Sequence, residues 1–255
     1  MSLPRPWMLG ESRWPTVRAI RYDTAILPWG ATEAHNTHLP YATDTIESTW
    51  IAEESARRAW NLGARCAVLP TMPFGVQTGQ RDIPFCINMN PSTQAALLRD
   101  VALSLEPHDV RSLLILNGHG GNDFRQMIRE LQPATSLFLC AVNWYTCVPA
   151  AEYFQIPGDH AGELETSVVQ HIAPHLVAPL AEAGDGQAKA PRIQAFREGW
   201  AWAPRPWTKV TQDTGVGDPK FASAEKGARY LEAVCDRLAS LFVELSAIDP
   251  REMFD

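Results

Sequence analysis

The sequence predicts a single α/β domain with a mostly parallel central sheet flanked by helices, and three observations predict it. Four short apolar runs at 24–29, 66–72, 112–116 and 136–143 are rich in Val, Ile and Leu and do not alternate with polar residues. That is the pattern of strands covered on both faces. Helical stretches alternate with these runs, which is how a parallel sheet is wound. At 255 residues, with 45% hydrophobic and 20% charged residues, the chain has the composition of one packed unit and not of a disordered one.

Each helix carries its own start or stop signal. The first, 43–60, opens on Thr43-Asp44 with a glutamate three residues on and runs out at Asn61-Leu62-Gly63. The second, 91–105, follows Asn90-Pro91, a good N-cap and first-turn pair. A third, 122–131, follows a glycine-rich turn, a shorter one covers 163–172, and 222–247 is the closing helix. Residues 184–220 break this rhythm with glycines, prolines and the series Trp200, Trp202 and Trp207. Such a stretch is either a plain surface excursion or a cover for a site or subunit contact.

Charge and composition exclude several classes. Lys+Arg 22 against Asp+Glu 29 leaves −7 with no run of like charge, so no basic stripe is offered to nucleic acid. No apolar stretch approaches the ~20 residues that span a bilayer. The amino-terminal MSLPRPWMLGESRWP has proline and charge where a signal peptide needs an apolar core. Cys66, Cys86, Cys140, Cys147 and Cys235 are odd in number and lack CxxC spacing, which reads as free thiols in a reducing, cytoplasmic compartment.

The chemistry lies in three motifs. Just beyond the first strand, Glu33 and His35 are two apart, so they project from one side of an extended segment, with His38 and Asp44 close behind. Carboxylates and imidazoles clustered at the carboxyl end of a strand suit borderline divalent metals. Taken singly, Asp44 reads as a helix cap, Glu33 as a solvated acid and His38 as turn filling. In the second motif an apolar strand runs into Asn117-Gly118-His119-Gly120-Gly121-Asn122, which brings His119 to the same edge. This turn fits neither GxGxxG nor GxxxxGK[ST]. The third motif places Asp159, His160, Glu163 and Glu165 before an apolar helix; first-turn acids favouring the helix dipole are the plain alternative for either glutamate.

Together, EAHNTHLP with the following TD, NGHGGN and HAGELETS resemble the creatininase (creatinine amidohydrolase) family, as do TGVGDP at 214–219 and SAEKG at 223–227. The resemblance implies a creatininase-like three-layer architecture and a dinuclear centre holding two divalent ions per chain: zinc, manganese or iron. It implies that Glu33 and His119 bind one ion, that His35 binds the other and that Asp44 bridges them. Asn36 stands where the family pattern has glycine. Gly120 and Gly121 stand where creatininase has a tyrosine and a ligating glutamate, so one ligand is missing; Glu163 is the first candidate replacement and Glu165 the second. His160 matches a histidine that handles protons, with Glu165 beside it as a further catalytic candidate. Trp144 resembles a substrate-covering tryptophan; His38 and Gly120 complete the substrate-contacting candidates. The implied activity is metal-dependent hydrolysis, by a metal-bridging hydroxide, of a small polar ring or a non-peptide C–N bond such as a cyclic amide or formamide. Opening of a carbohydrate-like or inositol-derived ring ketone is the alternative, and a non-catalytic metal-stabilised binding subunit a further one. The family also implies a homohexamer.

Overall fold

The computed structural model describes residues 5–253. Four strands, β1 (Thr24–Trp29), β2 (Cys66–Val68), β3 (Ser112–Asn117) and β4 (Phe138–Asn143), pair in parallel in the order β2-β1-β3-β4. The α-helices are α1 (Trp14–Ala19), α2 (Thr43–Asn61), α3 (Pro91–Leu105), α4 (Arg125–Leu131), α5 (Glu163–Ile172), α6 (Gln194–Arg197), α7 (Trp207–Val210) and α8 (Ala224–Ala247).

Successive residues of a strand point to opposite faces, and here both faces are covered. Ile26, Leu114 and Leu116 pack with α2, α5 and α8, whereas Ala25, Leu27, Trp29, Leu113 and Ile115 pack with α3 and α4. The result is three layers with two apolar cores. Every residue of β1 and β3 is buried, which explains their unbroken apolar character. Removing each such Leu or Ile from water contributes about 1.5–3 kcal/mol.

Some boundaries differ from the sequence reading, for local reasons. β2 stops at Val68, short of 72, because Pro70 has no N–H for a ladder; Met72 rejoins through a single bridge to Trp29. α4 starts at Arg125 and not at 122 because the Asn122 side chain is engaged elsewhere, donating to Asn117 Oδ1 and accepting from the Val76 N–H. Asn90 accepts from Asn88 and caps nothing, although Pro91 does open α3. α8 begins at Ala224, where the Ser223 hydroxyl accepts the Lys226 N–H.

The chain winds from β1 through α2 to β2 on one side of β1, then crosses through α3 to β3 on the other. The order therefore reverses between β1 and β3, and a crevice opens outside their carboxyl ends. Their register, Trp29 beside Asn117, brings the segments after both strands to one place. Among the described residues no helix is long and apolar enough to cross a membrane, and all five cysteines are free.

Candidate metal centre

At that switch point the segment after β1 delivers Glu33 and His35, and the turn after β3 delivers His119. Asp44 comes from the first turn of α2 and Glu165 from the first turn of α5. Asp44 is not a helix cap: the N-cap position is Ala42, with no side-chain cap bond. Its Oδ2 lies 3.0 Å from His119 Nδ1, and its Oδ1 lies 3.0 Å from His35 Nε2. Glu33 Oε1 is 2.9 Å from the same His119 nitrogen and 3.8 Å from His160 Nδ1. Glu33–Asp44–His119 and His35–Asp44–Glu165 form two trios sharing Asp44, and in each the candidate ligand atoms lie within 4.8 Å of one another. Glu33, His35 and His160 form a third such group.

The donor set fits divalent ions. Each histidine has one ring nitrogen on a backbone carbonyl: His35 Nδ1 on Glu33 O at 3.1 Å, His119 Nε2 on Val76 O at 2.9 Å and His160 Nε2 on Ala34 O at 2.8 Å. Those nitrogens carry the protons, since a carbonyl only accepts. The other nitrogens of His35 and His119 then aim lone pairs at carboxylate oxygens, an arrangement that needs a cation between them, either a second proton or a metal. Anchoring of the remote ring nitrogen is also the usual support of a ligating histidine.

Without metal the protons fill that role. Burial works against a charged His35, but Asp44 outweighs it and lifts the ring to about 10. Burial likewise opposes charge on His119, and the Glu33 and Asp44 carboxylates lift it well above its ordinary value. Burial would raise Asp44, yet His35 and His119 hold it well below the usual carboxylate range. Glu165, lacking so close a cation, is pushed up by burial to about 7 against the pull of His35. Burial and then the neighbouring His35 push His160 down, so this ring is the uncharged one.

The other candidates fall outside these groups or at their rim. Glu163 is buried, but its carboxylate pairs with Lys226 of α8 and accepts the backbone N–H groups of Gln155 and Ile156 at 2.9 and 2.8 Å. It belongs to none of the three trios, whereas Glu165 belongs to one. His38 sits behind His35 with Nε2 on the Thr166 hydroxyl at 2.8 Å. Trp144 is only 1% exposed and packs in the core against Tyr145 and Tyr230, so it is core material and not an exposed cover. Gly120 is exposed on the turn. At Gly121 an added Cβ would stand 2.1 Å from Val76 O and 2.5 Å from His119 Nε2, so this turn admits no side chain there.

Three residues escaped the sequence reading or were only half seen. Gln80 is fully buried and donates to Glu33 Oε2 at 2.7 Å. Trp207 lies on His160 with ring centroids 4.7 Å apart, while the Arg205 guanidinium stacks on Trp207 and pairs with Asp159 at 2.9 Å. This cover seats because residue 79 is glycine: a Cβ there would be 1.9 Å from Arg205 O. Asn36 has φ 52°, the left-handed region that glycine or asparagine tolerates, so the change from glycine keeps the backbone turn. Its side chain also accepts from Gly184 N–H, donates to Gly184 O, and its own N–H reaches Thr214 Oγ1 at 2.9 Å, clasping both ends of the excursion.

The family model for creatinine amidohydrolase, Creatininase, matches residues 10–242. The chain belongs to the creatininase family. A solved protein from Bacteroides fragilis NCTC 9343, provisionally named creatinine amidohydrolase, is 46% identical, with TM-score 0.93 over 99% of this chain and 100% of that one. A mycofactocin precursor peptide peptidase from Mycobacterium ulcerans (strain Agy99) is 29% identical over 238 residues, 90% of this chain and 85% of the relative. A solved creatininase with Mn shares the fold at 23% identity and TM-score 0.78, over 95% of this chain and 99% of its own. This creatininase-family member is a metal-dependent hydrolase, and it clusters groups that could hold metal at the carboxyl edge of its sheet.

Proposed function

We propose that the protein is a creatininase-type amidohydrolase that uses two divalent ions, zinc, manganese or iron, to cleave a C–N bond in a small polar cyclic amide or formamide. The observation that carries this reading is the sharing of Asp44 by two ligand trios in a buried crevice. Glu33 and His119 serve one side of Asp44, His35 and Glu165 the other. When bound, such ions lower the pKa of water and polarise a carbonyl oxygen.

The chain's own residues supply the rest. His160 fixes its Nε2 proton on Ala34 O and keeps Nδ1 as a free, uncharged base. It takes the proton shed by the attacking water and returns it to the departing nitrogen, which then leaves as a neutral amine. Trp207, lying on His160, keeps bulk water from this exchange. A peptide C–N bond is the second reading, favoured by the relative named as a peptidase.

The test is metal content by mass spectrometry on wild type and Asp44→Asn, followed by turnover of cyclic amides, formamides and short peptides. The reading expects about two ions per chain, lost in the variant, and turnover of the non-peptide amides. Turnover of peptides alone would establish the second reading, and a wild type that takes up no ion would refute both. We also propose cytoplasmic self-association, as a homohexamer, through the excursion's Trp200 and Trp202, which are 74% and 84% exposed.

A further inference from the structure

The buried amide of Gln80 has one orientation only. Its Oε1 accepts the Ala34 N–H at 3.2 Å and faces the Cys86 thiol at 3.1 Å. Its Nε2 therefore faces Glu33 Oε2, at 2.7 Å. Flipping the amide would set oxygen against a carboxylate and its NH2 against a backbone N–H. Gln80 is 0% exposed, so no water replaces any of these bonds. Glu33 is thereby divided: Oε2 belongs to Gln80, while Oε1 faces His119 and His160.

We propose that Gln80 is a positioning residue of the metal centre: by holding Glu33 Oε2 it confines Glu33 to single-oxygen ligation through Oε1 and keeps a coordination position open for water or substrate. The inference rests on the two-ion reading above. A carboxylate that ligates through both oxygens occupies two positions on its ion. For Glu33 to do so, Oε2 would have to turn toward the ion and share its electron density with it, which weakens the bond to Gln80 Nε2, a buried donor for which the dry surroundings offer no replacement. Cys86 contributes at one remove. Its thiol and the Ala34 N–H together fix Gln80 Oε1, so they set the direction in which Nε2 points.

The experiment uses the full chain with Co2+ as the metal probe, comparing wild type, Gln80→Met, Cys86→Ser and Cys86→Ala. Visible absorption reports coordination number, and competition with a chelator reports affinity. Gln80→Met keeps the volume but removes the donor. We expect its Co2+ bands to weaken as Glu33 takes a second position on the ion, with affinity altered roughly 10- to 100-fold. Cys86→Ser keeps a hydroxyl donor and should match wild type; Cys86→Ala should shift the bands in the same direction by less. If Gln80→Met does not fold, the two Cys86 variants decide, and identical Co2+ spectra in both would overturn the proposal. So would wild-type bands and affinity in a folded Gln80→Met. A wild type that binds no Co2+ would instead bring down the two-ion reading itself.

Discussion

Loading the metal-free protein should expel protons, and the structure sets a lower bound on their number. In the metal-free state His35, lifted to about 10 chiefly by Asp44 against burial, carries almost one full extra proton at pH 7. His119, lifted above its ordinary value by Glu33 and Asp44 against burial, adds to that charge. Glu165, raised by burial to about 7, is about half protonated there. Asp44, held low, contributes none. Because a metal needs the lone pairs these protons occupy, filling both trios should release at least about 1.5 protons at pH 7 and at least about 1 at pH 8 from His35 and Glu165, with the His119 share added to each. The sign follows: affinity rises with pH, by at least about tenfold per unit near pH 8, where the charged His35 ring competes. Metal-free stability moves the other way. The folded pKa of His35 exceeds the unfolded ~6.5, so its contribution is complete below ~6.5 and is lost as pH rises through about 10. Calorimetric titration with Zn2+ in Hepes and in Pipes, which differ in ionisation enthalpy, counts the protons. Release of fewer than one per chain at pH 7, or affinity independent of pH, would refute the electrostatic account of the site.

Three substitutions separate the neighbouring roles. Glu163→Gln should keep full metal content but lose roughly 2 kcal/mol of stability in urea titration, since it breaks a buried charged contact with Lys226; Glu165→Gln should lose one ion and little stability. Trp207→Ala, read by steady-state kinetics beside metal analysis, should leave both ions in place, raise KM and lower kcat as water enters over His160. Asn36→Ala should cost about 1–2 kcal/mol, because alanine resists the left-handed backbone, and should make the base of the 184–214 segment susceptible to protease.

What could be read from the sequence was what local chemistry decides. The bounds of β1, α3 and α5 coincide with their apolar runs and first-turn signals, because strand burial and Pro91 at a helix start act within a few residues. Glu33, His35, Asp44 and His119 were legible because spacing and strand ends place them on one edge. The choice between Glu163 and Glu165 was not legible, since both sit in the first turn of α5. The proposed choice of Glu165 turns on Lys226, 63 residues further along, which pairs with Glu163 from α8. The burial of Trp144 is illegible for a similar reason: the strand leading to it says nothing of Tyr230 closing over it from α8. Gln80 gave no signal at all, because a glutamine in a loop acquires meaning only when a carboxylate is folded against it.

On the proposed two-ion reading, the glycine at 121 and the use of Glu165 as a ligand belong together. Residue 121 packs so close to Val76 O and the His119 ring that a side chain there would displace the imidazole from Val76, the carbonyl that fixes its tautomer. A carboxylate for the second trio must then come from another element. The first turn of α5 is the element at hand, because the bridge between His160 and Val216 and the hydrogen bond from Ala161 N–H to Glu165 tether it beside His35. That shift has a mechanical consequence. A ligand on the β3 turn would move with the sheet, whereas Glu165 moves with α5, whose amino end is braced by Val216, and the same 214–216 strand of chain reaches Asn36 through Thr214. The second trio is thus coupled to the base of the tryptophan-bearing cover, while the first is coupled to the sheet. Loosening that base should therefore weaken one ion before the other.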